Sequence, residues 1–357
     1  MLFTPGPTEM ADDIRHIGAE PLPYFRSKDY CARVQDLTES LRYLFGTIQT
    51  PLTITASGTA GMEMALVNLF NPGDEVVYVN GGTFGAKWGQ MARDLGLKAL
   101  EFTVEHGKVI DQQLLLGMVG PNTKGMLLTG QETSTGQRYD VKGICQALAG
   151  SDCLTVVDGV SSIGCDPFEM DAWQADCATA CSQKGLACMP GLVFVVFSER
   201  AERKLRQTKH YRSYLDARVY LDNIGRGMLP FTPAMHATFQ VATALEKIRA
   251  IGLSEHIQRT ADRAAGFRKQ MLARPGFSMF AQTPSNALSA ITLPAGVMAT
   301  PLAGILREKY DAILPLNPTK AENFIRVSHM GEQTAAQLQQ LADWLYTEVA
   351  VLQASTV

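Results

Sequence analysis

Two residues of opposite charge each follow an apolar run of the kind that forms a buried strand. Asp158 ends the run 154–157, and Lys184 lies between the apolar stretch 178–181 and the run 192–198. A lysine amine can form a Schiff base with the aldehyde of pyridoxal phosphate, and a carboxylate can keep the pyridine nitrogen protonated, so that the ring accepts electrons. The pair therefore predicts a pyridoxal-phosphate site in which Lys184 and Asp158 are catalytic.

Each member of this pair also has a simpler explanation when it is considered alone. Most lysines are solvated surface charges, and a lone aspartate often caps a helix or closes a turn. Lys184, however, is flanked by apolar and small residues at 178–181 and 185–191. Burial in such a setting disfavours the ammonium and favours the neutral, nucleophilic amine.

A segment of small residues lies between a predicted strand and a predicted helix, at 55–61. Ser57, Gly58 and Thr59 would let a phosphate approach the backbone N–H groups at the helix N-terminus. Without the lysine, the better explanation is an ordinary helix cap by Ser57 or Thr59.

Two further segments follow strand-like runs and have two interpretations each. Phe84 comes after Asn80 and a pair of glycines, where its ring can either stack on a pyridine ring or pack in the core. The polar segment 131–136, which contains Thr133, can be a site loop or a Ser/Thr turn closed by Gly136.

Strand-like and helix-like segments alternate between about residues 50 and 200, which predicts an α/β fold with a mainly parallel sheet. Ligands bind at the carboxyl ends of the strands in such sheets. Strands are predicted at 52–55, 75–79, 99–104, 125–129, 154–157 and 192–198, and helices at 59–70, 111–118 and 141–149, with another that ends at Leu95.

The pattern changes from about residue 232, where helices are predicted at 232–251 and 254–272. Strands follow at 287–293 and 324–328, and a last helix at 334–352. We therefore predict an N-terminal arm over 1–15, a large domain over 16–250 and a smaller C-terminal α/β domain over 251–357.

Composition excludes several other classes of protein. The formal net charge of −3 offers no basic field for nucleic acid, and no apolar run approaches the ~18 residues of a membrane span. The seven cysteines are scattered, with no Cys-x-x-Cys pair or histidine cluster, so we expect neither a metal site nor a disulfide framework. This cysteine usage predicts a cytoplasmic location.

An ordered series of motifs runs through nearly the whole chain. It comprises Pro5-Gly6-Pro7, Phe25-Arg26-Ser27, Ser57-Gly58-Thr59, the segments 132–136 and 157–162, Ser182-Gln183-Lys184, Tyr214-Leu215-Asp216, Phe231-Thr232-Pro233 and the segment 325–331. With this series the chain resembles the class V aminotransferases, which are fold-type I pyridoxal-phosphate enzymes. Within them it is similar to the alanine–glyoxylate and serine–pyruvate aminotransferases. The resemblance implies a large domain with a seven-stranded, mainly parallel sheet.

The resemblance also implies a role in cofactor binding for each matching residue. Lys184 would form the Schiff base, and Asp158 would pair with the pyridine nitrogen. Val160 and Phe84 would pack against the ring, and Thr133 would hydrogen-bond its phenolic oxygen. The phosphate would be bound by Ser57, Gly58, Thr59, Gln183 and, from the neighbouring subunit, Thr232.

The role of Thr232 implies a homodimer with shared active sites. Arg326 would clamp the substrate carboxylate bidentately, with Arg26 as a second substrate-binding residue. The chain departs from the family at Leu229, where a phosphate-binding tyrosine is frequent, and at Thr59, where the animal enzymes have histidine.

The implied reaction transfers an amino group from alanine or serine to glyoxylate or pyruvate. The closest alternative is a 2-aminoethylphosphonate–pyruvate transaminase, in which an arginine near Arg326 would bind phosphonate. A cysteine desulfurase is disfavoured, because Phe84 and Gln183 replace its histidines and no cysteine follows Cys188. A non-catalytic protein of the same fold is disfavoured because the cofactor contacts, the tyrosine excepted, are present.

Overall fold

The computed structural model describes residues 1–317 and 321–354 and is built around a seven-stranded sheet. The strands, in chain order, are Leu52–Thr55 (β1), Glu75–Asn80 (β2), Lys98–Thr103 (β3), Thr123–Thr129 (β4), Gln131–Glu132 (β5), Gln137–Arg138 (β6), Leu154–Asp158 (β7), Cys177–Cys181 (β8), Leu192–Phe197 (β9), Ser278–Met279 (β10), Leu288–Thr292 (β11) and Phe324–Ser328 (β12). The large sheet has the order β1-β9-β8-β7-β4-β2-β3.

The predicted, mainly parallel sheet is confirmed, with one strand reversed. Strands β3, β2, β4, β7 and β8 pair in parallel, whereas β9 is antiparallel to both β8 and β1. Antiparallel neighbours can be joined by a short loop, while parallel ones need a crossover. The residues 182–191 form that loop between β8 and β9, and they carry Lys184.

Helices cover both faces of the sheet and make up much of the remaining chain. They are Asp12–His16 (α1), Lys28–Phe45 (α2), Gly58–Leu69 (α3), Thr83–Asp94 (α4), Gln112–Gly117 (α5), Val141–Leu148 (α6), Met170–Trp173 (α7), Glu199–Gln207 (α8), Ala217–Ile224 (α9), Met235–Ile251 (α10), Leu253–Leu272 (α11), Ala299–Tyr310 (α12) and Ala335–Ala354 (α13). The helix predicted from residue 232 begins only at Met235, because the backbone before Pro233 is biased away from the helical region. None of the helices in the described chain combines the length and the apolarity needed to cross a bilayer.

The central strands are buried on both faces, which explains their nearly continuous apolar sequences. In β2, Val77 and Val79 face one hydrophobic cluster, while Val76 and Tyr78 face the other. Each cluster is completed by the helices on its own side of the sheet. The sheet is therefore fixed between two helical layers, and its carboxyl edge is a rigid place for side chains.

A second, three-stranded sheet of order β10-β11-β12 packs with α11, α12 and α13 around a separate hydrophobic cluster. The first residues of the chain join this unit: Phe3 N–H donates to the Ile313 carbonyl at 2.9 Å, and Ser328 N–H donates to the Phe3 carbonyl at 3.0 Å. Helices α10 and α11 are separated at Gly252, which lies close to the predicted boundary. The division into 1–15, 16–250 and 251–357 remains a prediction, and 318–320 and 355–357 lie outside the described residues.

Candidate active site

The ends of neighbouring strands bring four predicted site residues to one edge of the large sheet. Lys184 follows β8, Asp158 ends β7, Thr133 follows β4 and Phe84 follows β2. These four strands are consecutive in the sheet and parallel, so their carboxyl ends lie side by side. Strand β1 runs in the same direction, which places Ser57 and its neighbours at this edge as well.

Asp158 is buried, and the hydrogen bond that its carboxylate accepts comes from the Val160 N–H at 2.9 Å. Burial raises the pKa of Asp158 to about 6 and outweighs the lowering by that bond and by the charges of Lys184 and Lys87. Burial likewise lowers the pKa of the Lys184 ammonium. Both groups are therefore held closer to their neutral forms than they would be in water.

The N-terminal segment packs directly against Lys184. Lys184 Nζ donates a hydrogen bond to the Pro5 carbonyl, and Thr8 Oγ1 donates to the Lys184 carbonyl at 3.3 Å. A Cβ atom on Gly6 would lie only 2.7 Å from Lys184 Cε, and the φ of Gly6 is +144°. Glycine is thus required where the chain crosses the lysine.

Val160 connects the Asp158 turn to the candidate phosphate segment. A Cβ atom on Gly58 would lie 2.9 Å from Val160 Cγ2, so the N-terminus of α3 touches this side chain. Ser57 occupies the N-cap position, but its exposed side chain forms no cap hydrogen bond. The alternative explanation of Ser57 as a side-chain cap is therefore wrong for this residue.

Thr133 connects the turn after Asp158 to Arg326, the predicted substrate clamp. Its hydroxyl donates to Ser161 Oγ at 2.7 Å, and its carbonyl accepts from Arg326 Nη1 at 2.8 Å. The buried Arg326 also donates to Asn317 Oδ1 at 3.0 Å and to the Leu316 carbonyl at 2.6 Å. Three of the five guanidinium N–H donors are thereby used, which leaves one on each Nη for a carboxylate.

Three of the predicted residues make fewer contacts with the other predicted site residues. Arg26 is exposed, with its guanidinium 5.1 Å from the Phe25 ring centroid, and Thr232 is exposed beside Phe231. Gln183 Oε1 accepts a hydrogen bond from Ser182 Oγ at 3.4 Å. The binding roles of Arg26, Thr232 and Gln183 stay predictions.

Glu132 holds backbone groups of the candidate site together, although no role was predicted for it. Its buried carboxylate accepts the N–H of Gly85 at 2.9 Å, that of Phe84 at 3.2 Å and that of Ser134 at 3.1 Å, together with the Ser134 hydroxyl. It therefore caps α4 from another part of the chain and fixes the backbone of Phe84. The signals in the sequence were its position in the polar segment 131–136 and in the motif segment 132–136, neither of which assigned it a role.

Lys87 was also not predicted. It lies one helical turn after Phe84, and its Nζ donates to Thr59 Oγ1 at 3.1 Å. The same ammonium is 5.2 Å from the Phe84 ring centroid. The residue therefore connects the predicted stacking aromatic to the predicted phosphate segment.

The raised pKa of Asp158 predicts a pH-dependent effect of Asp158→Asn on cofactor-stripped protein. Ionisation of a carboxyl with a pKa of 3.8 when unfolded and about 6 when folded costs nothing below pH 3.8 and its full amount above pH 6. At pH 7 the variant should gain on the order of 2–3 kcal/mol in free energy of unfolding over wild type, because asparagine still accepts the Val160 N–H.

Urea denaturation at one protein concentration, repeated across this pH range, measures the difference. The exposed Asp152→Asn is the matched control and should show no such gain. A difference between wild type and Asp158→Asn that stays constant from pH 7 to pH 4 would contradict the assignment.

Comparison with known proteins agrees with this geometry. The family model for aminotransferase class-V matches residues 24–314. The serine–glyoxylate aminotransferase of Methylorubrum extorquens is 31% identical over 348 residues, which cover 93% of this chain and 86% of that protein. The L-aspartate–glyoxylate aminotransferase of Paracoccus denitrificans is 30% identical over 346 residues, covering 94% and 87% respectively.

Solved structures give the same result. The alanine–glyoxylate aminotransferase from Nostoc sp. superposes with a TM-score of 0.92 at 26% identity, covering 98% of this chain and 94% of that one. The aspartate aminotransferase of subgroup IV from Thermus thermophilus gives 0.91 at 26% identity, with 98% and 99% covered. The chain therefore belongs to the class V aminotransferases and is a pyridoxal-phosphate-dependent transaminase of fold type I.

Proposed function

We propose that this transaminase transfers the amino group of a small amino acid, alanine or serine, to glyoxylate or pyruvate. The observation that carries the proposal is the buried guanidinium of Arg326, whose two remaining N–H donors suit one carboxylate. Glyoxylate in the names of the serine–glyoxylate and alanine–glyoxylate relatives supports the acceptor. A cytoplasmic location is part of the proposal, because the seven cysteines are free thiols, which suits a reducing compartment.

The side chains at the sheet edge fit pyridoxal phosphate. The buried carboxylate of Asp158 suits a protonated pyridine nitrogen, and the lowered pKa of Lys184 suits Schiff-base formation. Gly58 allows the N-terminus of α3, with its free N–H groups, to approach Val160, where a phosphate can bind. The cofactor, when bound, supplies the electron sink that stabilises negative charge on the substrate Cα.

The protein residues then position the substrate and move its proton. Arg326 binds the carboxylate and orients the amino acid beside Lys184. The neutral amine of Lys184, favoured by burial, is the base that removes the Cα proton. With the cofactor bound, Asp158 would hold the ring nitrogen in its protonated form, and Phe84, whose backbone is fixed by Glu132, would pack against the ring.

Visible absorbance and a panel of amino donors test the proposed function. The purified protein should absorb at about 410–430 nm as expected for a lysine Schiff base, and Lys184→Ala should lose this absorbance and turnover. Alanine or serine should give the highest kcat/KM with glyoxylate or pyruvate, with ping-pong kinetics.

The panel also includes aspartate and 2-aminoethylphosphonate. Protein that stays colourless with added pyridoxal phosphate would overturn the proposal. The highest kcat/KM with 2-aminoethylphosphonate would replace it by the phosphonate transaminase.

A substitution of Arg326 tests the substrate clamp separately. Arg326→Gln removes the charged bidentate donor, so kcat/KM for alanine should fall by the equivalent of about 2–4 kcal/mol, mainly through KM. The visible absorbance should remain, because the cofactor is bound elsewhere. The exposed Arg307→Gln is the control and should leave the kinetics unchanged. An unchanged KM for carboxylate donors in Arg326→Gln would place the clamp at another residue.

We further propose a homodimer with shared active sites. Thr232 adjoins a group of exposed aromatic side chains, with Tyr211 86%, Tyr214 39% and Phe231 37% exposed. Tyr214 and Phe231 pack with ring centroids 4.7 Å apart, and the Tyr214 hydroxyl donates to the Thr55 carbonyl at 3.1 Å, beside the phosphate segment. Such a patch is typical of a surface that another protein chain covers.

Hybrid dimers of two inactive variants test the sharing of sites. One subunit carries Lys184→Ala and the other Thr232→Glu, which repels the phosphate. If Thr232 acts across the interface, the hybrid contains one site with Lys184 and Thr232 both intact. Co-expressed and purified hybrids should therefore regain transaminase activity that neither variant has alone. Absence of activity in confirmed hybrids would show that each subunit uses its own Thr232.

A further inference from the structure

Lys87 places a positive charge where three parts of the candidate site meet. Its Nζ donates to Thr59 Oγ1 at 3.1 Å and lies 5.2 Å from the Phe84 ring centroid. The charge of Lys87 also offsets part of the rise that burial causes in the pKa of Asp158. Lys87 thus contacts the predicted phosphate segment and the predicted stacking aromatic, its charge acts on the carboxylate of Asp158, and no motif assigns it a role.

The position is electrostatically unfavourable unless an anion is present. Thr59 is the second residue of the 12-residue helix α3, whose first N–H groups lack helical partners and form the positive end of the helix dipole. An ammonium at this end is repelled. Its contacts within residues 1–317 and 321–354 include the Thr59 hydroxyl and the Phe84 ring, which carry no formal charge. The Asp158 carboxylate attracts the ammonium, but burial shifts that carboxylate toward its neutral form.

The hydrogen bond to Thr59 also has a direction that matters. Because Lys87 donates to Oγ1, the hydroxyl hydrogen of Thr59 remains free to donate to a third group. That hydrogen, the ammonium and the N–H groups of α3 all favour one anion at the helix end. The substrate carboxylate is a poorer candidate, because Arg326 is held at the Thr133 carbonyl with two free donors of its own.

We propose that Lys87 is a further phosphate-binding residue of the cofactor site. Its ammonium neutralises part of the phosphate charge and orients the Thr59 hydroxyl toward the phosphate. The proposal rests on the proposed function, because it takes the anion to be the phosphate of pyridoxal phosphate.

A comparison of pyridoxal phosphate with pyridoxal separates this role from a structural one. The two ligands share the ring and the aldehyde, but only the first carries the phosphate. Lys87→Met should weaken binding of pyridoxal phosphate to cofactor-stripped protein by about 10- to 100-fold, as expected for loss of a charged hydrogen bond. Binding of pyridoxal should change less than about threefold, because ring and lysine contacts remain.

Equilibrium dialysis of both ligands gives the dissociation constants. Lys87→Arg keeps the charge and should retain most of the preference for the phosphorylated ligand. The exposed Lys98→Met is the matched control and should behave as wild type. An equal loss of both ligands in Lys87→Met would show that Lys87 only positions Phe84, and an unchanged preference for pyridoxal phosphate would also overturn the proposal.

The outcomes distinguish this proposal from the proposed function. If wild-type protein does not bind pyridoxal phosphate with Lys184-dependent visible absorbance, the function itself fails. If it does, and Lys87→Met discriminates between the two ligands as wild type does, only the role of Lys87 fails. Circular dichroism of Lys87→Met and Lys87→Arg checks that a loss of affinity is not a loss of fold.

Discussion

The burial of the charged groups of Asp158 and Lys184 at the carboxyl edge of the large sheet is the constraint on which the site depends. Burial raises the pKa of Asp158 to about 6 and lowers that of Lys184. The attraction between these opposite charges offsets only part of the desolvation cost, as is common for buried charges. A bound group that offers a cation to Asp158 and an aldehyde to Lys184 relieves both costs, so cofactor binding and folding stability are coupled.

The order of the strands places both residues at this edge. Because β8 is parallel to β7, Lys184, which follows β8, lies at the edge that Asp158 occupies at the end of β7, and the short loop that carries Lys184 leads into the antiparallel β9. The N-terminal segment then crosses the lysine, and the missing side chain of Gly6 permits the approach. Residues 1–9 also contact the C-terminal sheet through Phe3, so the same segment links the lysine to the smaller unit.

Local sequence predicted a mainly parallel sheet with Lys184 and Asp158 at strand ends, because buried parallel strands have continuous apolar runs and their carboxyl ends converge. It did not predict that β9 runs antiparallel. Helix α2 was not predicted either, although Val34, Leu37, Leu41 and Leu44 have the spacing of an amphipathic helix. Contacts such as that of Glu132 with α4 join segments that are distant in the sequence. The spacing of apolar residues reports only on local structure, so it could not predict these contacts. The surroundings of Thr232 depend on a second subunit, which one chain cannot specify.

Arg326 and Lys87, the two cations to which we assign anions, differ in a way that matches their proposed tasks. Arg326 is oriented by the carbonyls of Thr133 and Leu316, which partly satisfy it without a ligand. Lys87 instead adjoins a helix N-terminus that repels it. On the proposed assignment, Lys87 binds the phosphate, an anion that stays through many turnovers. Arg326, which already donates hydrogen bonds to protein carbonyls, binds the substrate carboxylate. This carboxylate must leave after each half-reaction, and tighter binding of it would slow product release.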